Sequence, residues 1–300
     1  MSQSPNRKTR PNRKTLRVLF PQWQGCGADY AAEFTTNLSR DSVRHGYETS
    51  TQLLSTLFPA PDDNTVIVPV AGYCTDVERG IESRPAVLHN LRTATELIRE
   101  RDPERIVTFG GDCSVSVPSL THLAAKYGED LAVVWLDSHP DCSTPGGNYQ
   151  GYHDMALAHI TGHGDDEFLA ELPATIAPDR VVLAGAHSWN DDEYENFRNW
   201  GIGHLPPDAL RESPQQIIDW LQSTGCRNVV LHLDVDSVDA NQFHLGMGAE
   251  PGGLTKDQVH AIISAVSTHD AFDLVGFTLA EFIPRQVLAI QELIHDVPLL

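Results

Sequence analysis

Short apolar runs recur along this chain with helical segments between them, and this alternation constrains the fold more than any other feature. We interpret eight runs as strands, at residues 16–20, 65–70, 105–109, 131–136, 180–184, 202–205, 228–235 and 274–280. Runs without polar alternation are typical of strands that are covered on both faces. The sequence therefore predicts an α/β fold of three layers, α-β-α, around a mostly parallel sheet.

Helices are predicted at residues 84–100, 214–223, 255–269 and 284–295. The first is the clearest, because its apolar residues can share one face: Val87, Leu88, Leu91, Leu97 and Ile98. A chain of 300 residues suits one large domain, and at this size about three quarters of the unfolded surface can be buried.

The charge of the chain is unevenly distributed. Residues 1–15 hold five of the 21 Lys and Arg and no acid, so the rest carries 16 basic against 41 acidic residues. We predict that this basic tail is disordered, since it has little to bury. The acidic body repels nucleic acid and anionic membranes, so we expect neither as a partner. This acidic charge is compatible with a cationic substrate or a divalent metal. The alternative is that it serves only to keep the protein soluble.

Cysteine usage and the N-terminal residues indicate the compartment. The five cysteines are an odd number, and residues 1–15 lack the apolar segment of a secretory signal. A disulfide framework is therefore not expected. Because the sequence also has no run of about 20 apolar residues, we predict a cytoplasmic protein.

Carboxylates and other potential ligands follow four of the predicted strands. The four segments are Gly110-Gly111-Asp112-Cys113-Ser114, Asp137-Ser138-His139-Pro140-Asp141, Asp234-Val235-Asp236-Ser237-Val238-Asp239 and Glu281-Phe282-Ile283-Pro284. Ligands of parallel sheets bind at the carboxyl ends of strands. In extended chain, side chains two apart point the same way, so Asp137, His139 and Asp141 can converge. Asp234 and Asp236 have the same relation.

Convergent carboxylates repel one another unless a cation lies between them. Carboxylates with one imidazole suit a hard or borderline divalent ion such as Mn²⁺. Two such clusters indicate a binuclear site, with metals about 3.5–4 Å apart. The alternative is that these are ordinary turn residues at strand ends, where Asp is common.

The first three segments resemble, in order and spacing, the metal-binding signatures of the ureohydrolase (arginase–agmatinase) superfamily. Gly252-Gly253-Leu254-Thr255 and Glu281-Phe282-Ile283-Pro284 also look like landmarks of that family. The resemblance covers residues 16–300. It implies a single arginase-like domain around an eight-stranded parallel sheet, which agrees with the eight predicted strands.

The resemblance also implies a ligand set for two Mn²⁺ ions. Asp137 and Asp234 would bridge both ions, Cys113 and Asp141 would complete one site, and His139 and Asp236 would complete the other. A bridging hydroxide would then attack a guanidino carbon, with Asp141 moving a proton, and release urea or hydroxyurea.

Further roles carry over from the family to residues around this centre. Glu281 resembles the residue that pairs with the guanidinium, and His153 the histidine that assists proton transfer near the leaving group. Ser143, Asn148 and Gln150 lie in the loop that faces the amino-acid end of arginine, and they are candidates for binding a substrate carboxylate. The resemblance thus implies a small cationic guanidino substrate. It also implies assembly into a homo-oligomer.

Cys113 departs from the usual family pattern, which has histidine there. A branch that resembles N-hydroxyarginine hydrolases carries Cys at this position, together with an opening like Phe20-Pro21-Gln22-Trp23-Gln24-Gly25. The substrate can therefore be arginine, N-hydroxyarginine or a related guanidine. One alternative is a non-catalytic relative that binds metal or a guanidino ligand through a weakened first site. Another is amide hydrolysis on the related deacetylase-type scaffold. His232 is interpreted as a core histidine or an outer partner of the metal site.

Overall fold

The computed structural model of the protein describes residues 14–26 and 40–300. Within them the strands β1 to β8 run over Thr15–Phe20, Thr65–Ile67, Arg105–Gly110, Leu131–Leu136, Val181–Ala184, Gly203–Leu205, Asn228–Asp234 and Asp273–Ala280. Each corresponds to a predicted strand. Most of the predicted basic tail, residues 1–13, lies outside the described residues, and Thr15 already belongs to β1.

The eight strands form one sheet in the order β2-β1-β3-β8-β7-β4-β5-β6. Every neighbouring pair is parallel, which confirms the predicted α/β fold. The two edge strands, β2 and β6, have three residues each. Strand β2 ends at Ile67, three residues earlier than predicted.

The described residues form ten α-helices. They are α1 to α10, over Arg40–Leu57, Arg84–Arg101, Ser116–Tyr127, Ala156–Ile160, Asp166–Leu169, Asp191–Trp200, Pro207–Leu210, Gln215–Thr224, Lys256–Thr268 and Val287–Ile294. The four predicted helices correspond to α2, α8, α9 and α10. Helix α9 begins after a capping box, in which Thr255 and Gln258 exchange side-chain and backbone hydrogen bonds.

The sheet separates two apolar layers. In β4, Leu131, Val133 and Trp135 belong to one core cluster, with residues of α2 and α3. The alternate residues Val134 and Leu136 belong to the opposite cluster, with residues of α8, α9 and α10. Both faces of the strand are therefore buried, which is why its sequence is continuously apolar. Among the described residues, no helix is long and apolar enough to cross a membrane.

His159 of α4 is a buried histidine outside the strand-end segments. Its Nδ1–H donates to the Met155 carbonyl at 2.8 Å, and its Nε2 accepts from the Asp165 backbone N–H at 3.0 Å. Both ring nitrogens are thus used by the neutral form. Burial lowers the pKa of His159 to about 4.

We expect His159 to make the protein acid-sensitive. Since its pKa is lower when folded than the unfolded value of about 6.5, the unfolded chain binds more protons between these values. The contribution of His159 to the free energy of unfolding is complete above about pH 6.5, and it falls by about 3 kcal/mol as the pH drops to about 4. Urea unfolding across this range, with chelator present, should show a smaller pH slope for His159→Gln than for the unchanged chain. Equal slopes would contradict this assignment.

Candidate metal centre

The four ligand-bearing segments meet because their strands are neighbours. Strands β3, β8, β7 and β4 are consecutive in the middle of the sheet, and all run in the same direction. The carboxyl ends of these four strands therefore lie close together, beside a cavity of about 460 Å³. Among the residues that line it are His139, Asp141, Asp234, Asp236 and Glu281.

Three groups of potential metal ligands lie at this edge, and within each group the ligand atoms are all within 4.8 Å of one another. The groups are Cys113, Asp137, Asp141 and His232; Asp137, His139 and Asp236; and Cys113, Asp234 and Glu281. Asp137 and Cys113 each belong to two groups, so the groups form one cluster. The structure thus brings together all six residues that the sequence predicts as metal ligands.

Three aspartates of the strand-end segments share one local geometry. One carboxylate oxygen of each accepts the backbone N–H two residues later: Asp112 from Ser114 at 3.1 Å, Asp137 from His139 at 2.7 Å and Asp234 from Asp236 at 2.8 Å. They are turn residues as well as candidate ligands, so the two interpretations of the sequence do not exclude each other. The turn fixes the carboxylate while its second oxygen is left for other partners.

The second oxygens of Asp137 and Asp234 face the cluster. Asp137 Oδ2 accepts from the Trp135 indole at 3.0 Å and lies 3.8 Å from His232 Nε2. Asp234 Oδ2 accepts from the Cys113 thiol at 3.0 Å. Asp112 differs, because its Oδ2 instead accepts the Gly25 N–H at 2.9 Å. That aspartate fastens the loop after β1 and is not part of the ligand cluster.

Extended chain is expected from the sequence to bring Asp137, His139 and Asp141 together, but the structure brings them together in another way. The backbone turns sharply after β4, and Asp141 has a φ of 49°. Glu281, at the end of β8, has a φ of 60°. Both are in the left-handed region, which non-glycine residues seldom adopt. Such strain recurs at functional sites, where the surrounding structure holds a side chain in place.

The electrostatics of the cluster fit a bound cation. Burial raises the pKa of Asp234 and Asp141, and neighbouring carboxylates, Asp236 and Asp137 respectively, raise them further. Burial and the Asp141 charge raise the pKa of the Cys113 thiol. Asp141 Oδ2 is buried without a hydrogen-bond partner. A divalent cation would neutralise these groups and satisfy that oxygen, and oxygen, nitrogen and sulfur donors suit a borderline metal.

Glu281 joins the cluster to the cavity wall. Its carboxylate accepts from the Cys113 backbone N–H at 3.1 Å and from the Tyr47 hydroxyl of α1. His153 Nδ1 lies 3.3 Å from Glu281 Oε1. His153 and Glu281, each of which is predicted to act on the substrate, therefore lie together beside the ligands.

His153 is held on its other side by Tyr149. The Tyr149 hydroxyl donates to the Cys26 carbonyl at 3.0 Å, so its oxygen is left to accept from His153 Nε2 at 2.9 Å. With Nδ1 directed at Glu281, both ring nitrogens favour a proton. Burial alone would lower the pKa of His153, but Glu281 outweighs it and the pKa is raised.

The three predicted substrate-binding residues lie in different surroundings. Asn148 is exposed and lines the cavity. Ser143 is completely buried, and its backbone N–H donates to the Asp154 carbonyl. Gln150 is half-buried and is not among the residues that line the cavity. Their contact with a substrate stays a prediction.

Sequence reasoning missed two carboxylates of the cavity wall. Glu250 Oε1 lies 3.6 Å from His139 Nε2, and Glu193 is buried with Oε1 unpartnered. Neither follows a strand of the ligand-bearing set, so strand-end patterns could not find them. Glu250 had a usable signal, because it stands two residues before the landmark Gly252-Gly253.

Comparison with known proteins gives one consistent answer. A family model described as the arginase family matches residues 52–289. The arginase of Staphylococcus aureus (strain MRSA252) is 28% identical over 185 residues, which cover 59% of this chain and 60% of the relative. The alignment thus spans less than two thirds of that curated relative.

Solved structures resemble the whole fold. Entamoeba histolytica arginase, in complex with L-ornithine, has a TM-score of 0.78 at 17% identity and covers 95% of this chain and 99% of its own. Proclavaminate amidino hydrolase from Streptomyces clavuligerus has a TM-score of 0.66 at 19% identity, over 96% of this chain and 90% of its own. At these identities the likeness shows the fold.

Proposed function

Since this chain belongs to the arginase family, we propose that it is a metal-dependent hydrolase that cleaves a guanidino C–N bond. Its substrate would be arginine, N-hydroxyarginine or a related guanidine, and its product urea or hydroxyurea. The observation that carries this proposal is the shared position of Asp137, which stands in two adjoining ligand groups at once. A carboxylate placed in this way is suited to bridging a pair of cations.

Six residues would hold the metals, as the sequence predicts: Cys113, Asp137, His139, Asp141, Asp234 and Asp236. His232 adds a nitrogen 3.8 Å from Asp137 Oδ2 and is a candidate seventh. Two divalent cations, Mn²⁺ on our proposal, would supply a hydrolytic nucleophile near neutral pH, because bound cations lower the pKa of water.

The chain's own groups would position the substrate and move protons. The Glu281 carboxylate can accept charge-assisted hydrogen bonds from a guanidinium. His153, protonated between Glu281 and Tyr149, can donate a proton to the departing nitrogen. Asp141 Oδ2 has no hydrogen-bond partner, and it can accept a proton.

The cavity walls support a cationic substrate. Carboxylates line them at Asp154, Glu193 and Glu250 in addition to the cluster, and the described lining residues include no lysine or arginine. Opposite charges lower the free energy of a bound guanidinium in such a cleft. Trp189 lines the same cavity.

Turnover of a substrate panel tests the proposal. The purified chain is stripped with chelator, reloaded with Mn²⁺, and supplied in parallel with arginine, N-hydroxyarginine and agmatine, with lysine as the control that lacks a guanidino group. We expect metal-dependent release of urea or hydroxyurea from at least one guanidine and none from lysine. Full metal loading without any turnover would favour the non-catalytic relative instead.

Cys113 is expected to influence both metal affinity and substrate choice. Its thiol contacts Asp234 and stands where the family usually has histidine. Cys113→His should keep metal binding and change the ratio of kcat/KM for arginine to that for N-hydroxyarginine. Cys113→Ser should weaken metal binding by about tenfold or more. Cys226→Ser, a buried thiol outside the cluster, is the matched control. An unchanged ratio for Cys113→His would remove this residue from the specificity argument.

A further inference from the structure

A second group of metal-ligating side chains lies away from the central cluster. His260 projects from α9, and His295 and Asp296 directly follow α10. Their ligand atoms are all within 4.8 Å of one another. None of the three lines the central cavity. This group therefore needs an explanation of its own.

Backbone carbonyls fix the orientation of both imidazoles. His260 Nδ1 lies 3.0 Å from the Leu293 carbonyl, and His295 Nδ1 lies 2.9 Å from the Glu292 carbonyl. Because a carbonyl only accepts, each Nδ1 must carry the proton. In the neutral rings each Nε2 then keeps its lone pair. This arrangement is typical of metal-binding histidines, whose second nitrogen donates to a carbonyl or carboxylate.

The two rings and the carboxylate lie close to one another. The His260 and His295 rings are nearly parallel, at 4°, with centroids 5.4 Å apart. Asp296 Oδ2 lies 3.7 Å from His260 Nε2, which is too long for a hydrogen bond. Two ligands of a tetrahedral Zn²⁺ are separated by about 3.4 Å, given bonds of about 2.0–2.1 Å. Asp296 Oδ1 is buried without a hydrogen-bond partner.

We propose that His260, His295 and Asp296 form a second metal site, which binds Zn²⁺ or a similar borderline cation. Two imidazoles and a carboxylate are a ligand set that Zn²⁺ accepts, with one position left for water. The side chains of His260 and Asp296 are about a third exposed, so a cation can enter from solvent. The site would fasten the end of α10 to α9, beside the ion pair between Lys256 and Glu292. It does not depend on the proposed hydrolase activity.

Zinc content per chain tests the site. After chelator treatment, the full chain and the double variant His260→Gln/His295→Gln are dialysed against micromolar Zn²⁺ and analysed by mass spectrometry. We expect the unchanged chain to retain one more Zn²⁺ than the double variant, because the central cluster is the same in both. The control His89→Gln/His269→Gln should match the unchanged chain. Equal zinc contents in all three would overturn the proposal.

Hydrogen exchange tests whether bound Zn²⁺ stabilises the segment around α10. Zn²⁺ should slow amide exchange in peptides from residues 287–300 by about tenfold or more in the unchanged chain, and not in the double variant. Asp296→Asn should weaken the extra Zn²⁺ about tenfold or more. If the double variant fails to fold, the single change of the exposed His295 to Gln carries the same comparison. If Zn²⁺ still slowed amide exchange in these peptides in either histidine variant, the proposed site would be refuted.

Discussion

Replacing Asp137 with asparagine is expected to lower kcat/KM for guanidine hydrolysis by about 10³-fold or more. Asp137 contributes to two adjoining ligand groups, so its loss affects both proposed metal positions. Changes in outer partners of metal sites cost about 10–100-fold, and a shared ligand should cost more. The asparagine oxygen can still accept from the His139 N–H, so the turn should persist. Kinetics and metal analysis on the same sample provide the measurement.

Asp239→Asn is a matched control for that change. Asp239 also accepts the backbone N–H two residues later, from Asn241 at 2.9 Å, but it belongs to none of the ligand groups. We expect its variant to keep its metals and to lose less than about threefold in activity, in line with a surface change of at most about 0.5 kcal/mol. Full activity of Asp137→Asn with both metals retained would end the case for a bridging role.

Replacing Gly111 with alanine is expected to cost about 4 kcal/mol or more of unfolding free energy. A Cβ at this position would lie 1.6 Å from the Gln22 carbonyl oxygen, which is backbone and cannot rotate away. The loop after β1 would have to move, although the Gly111 N–H donates to Phe20 and the Asp112 N–H to Gln22. The Glu281 N–H donates to the Gly111 carbonyl, so activity should fall as well.

Gly72→Ala separates this clash from the general effect of replacing a glycine. Gly72 is exposed, and an added Cβ there would meet nothing within 4 Å. Its variant should differ from the unchanged chain by less than about 0.5 kcal/mol in chemical denaturation. If Gly111→Ala were as stable as Gly72→Ala, the close approach of the two loops would not be a constraint on the fold.

The sequence predicts the sheet well because strands that are buried on both faces have continuously apolar sequences. Strand β4 is predicted to the residue, since all six of its side chains are apolar and buried. Helix α1 is not among the predicted helices, because its buried face includes Ser50 and Thr51 as well as apolar side chains. Their hydroxyls bond to the Tyr47 carbonyl within the helix, which an apolar pattern cannot reveal.

The ligand cluster is predictable because its members stand directly after consecutive strands of the sheet. Its surroundings are not, since they come from distant parts of the chain. Tyr47 reaches Glu281 across 234 residues, and Glu193 and Glu250 come from a helix and a loop. His232 is ambiguous in sequence, and only its distance to Asp137 makes it a potential ligand. The roles of the predicted substrate residues and the homo-oligomer stay predictions.

Strand β8 lies between β3 and β7, and it joins two sets of strands that otherwise share no hydrogen bonds in the sheet. Strands β4 and β7, which contain or precede five of the six predicted metal ligands, pair directly and do not need β8 to become neighbours. Cys113 follows β3, and only β8 holds that strand beside β7. The complete ligand cluster should accordingly form only when β8 has entered the sheet.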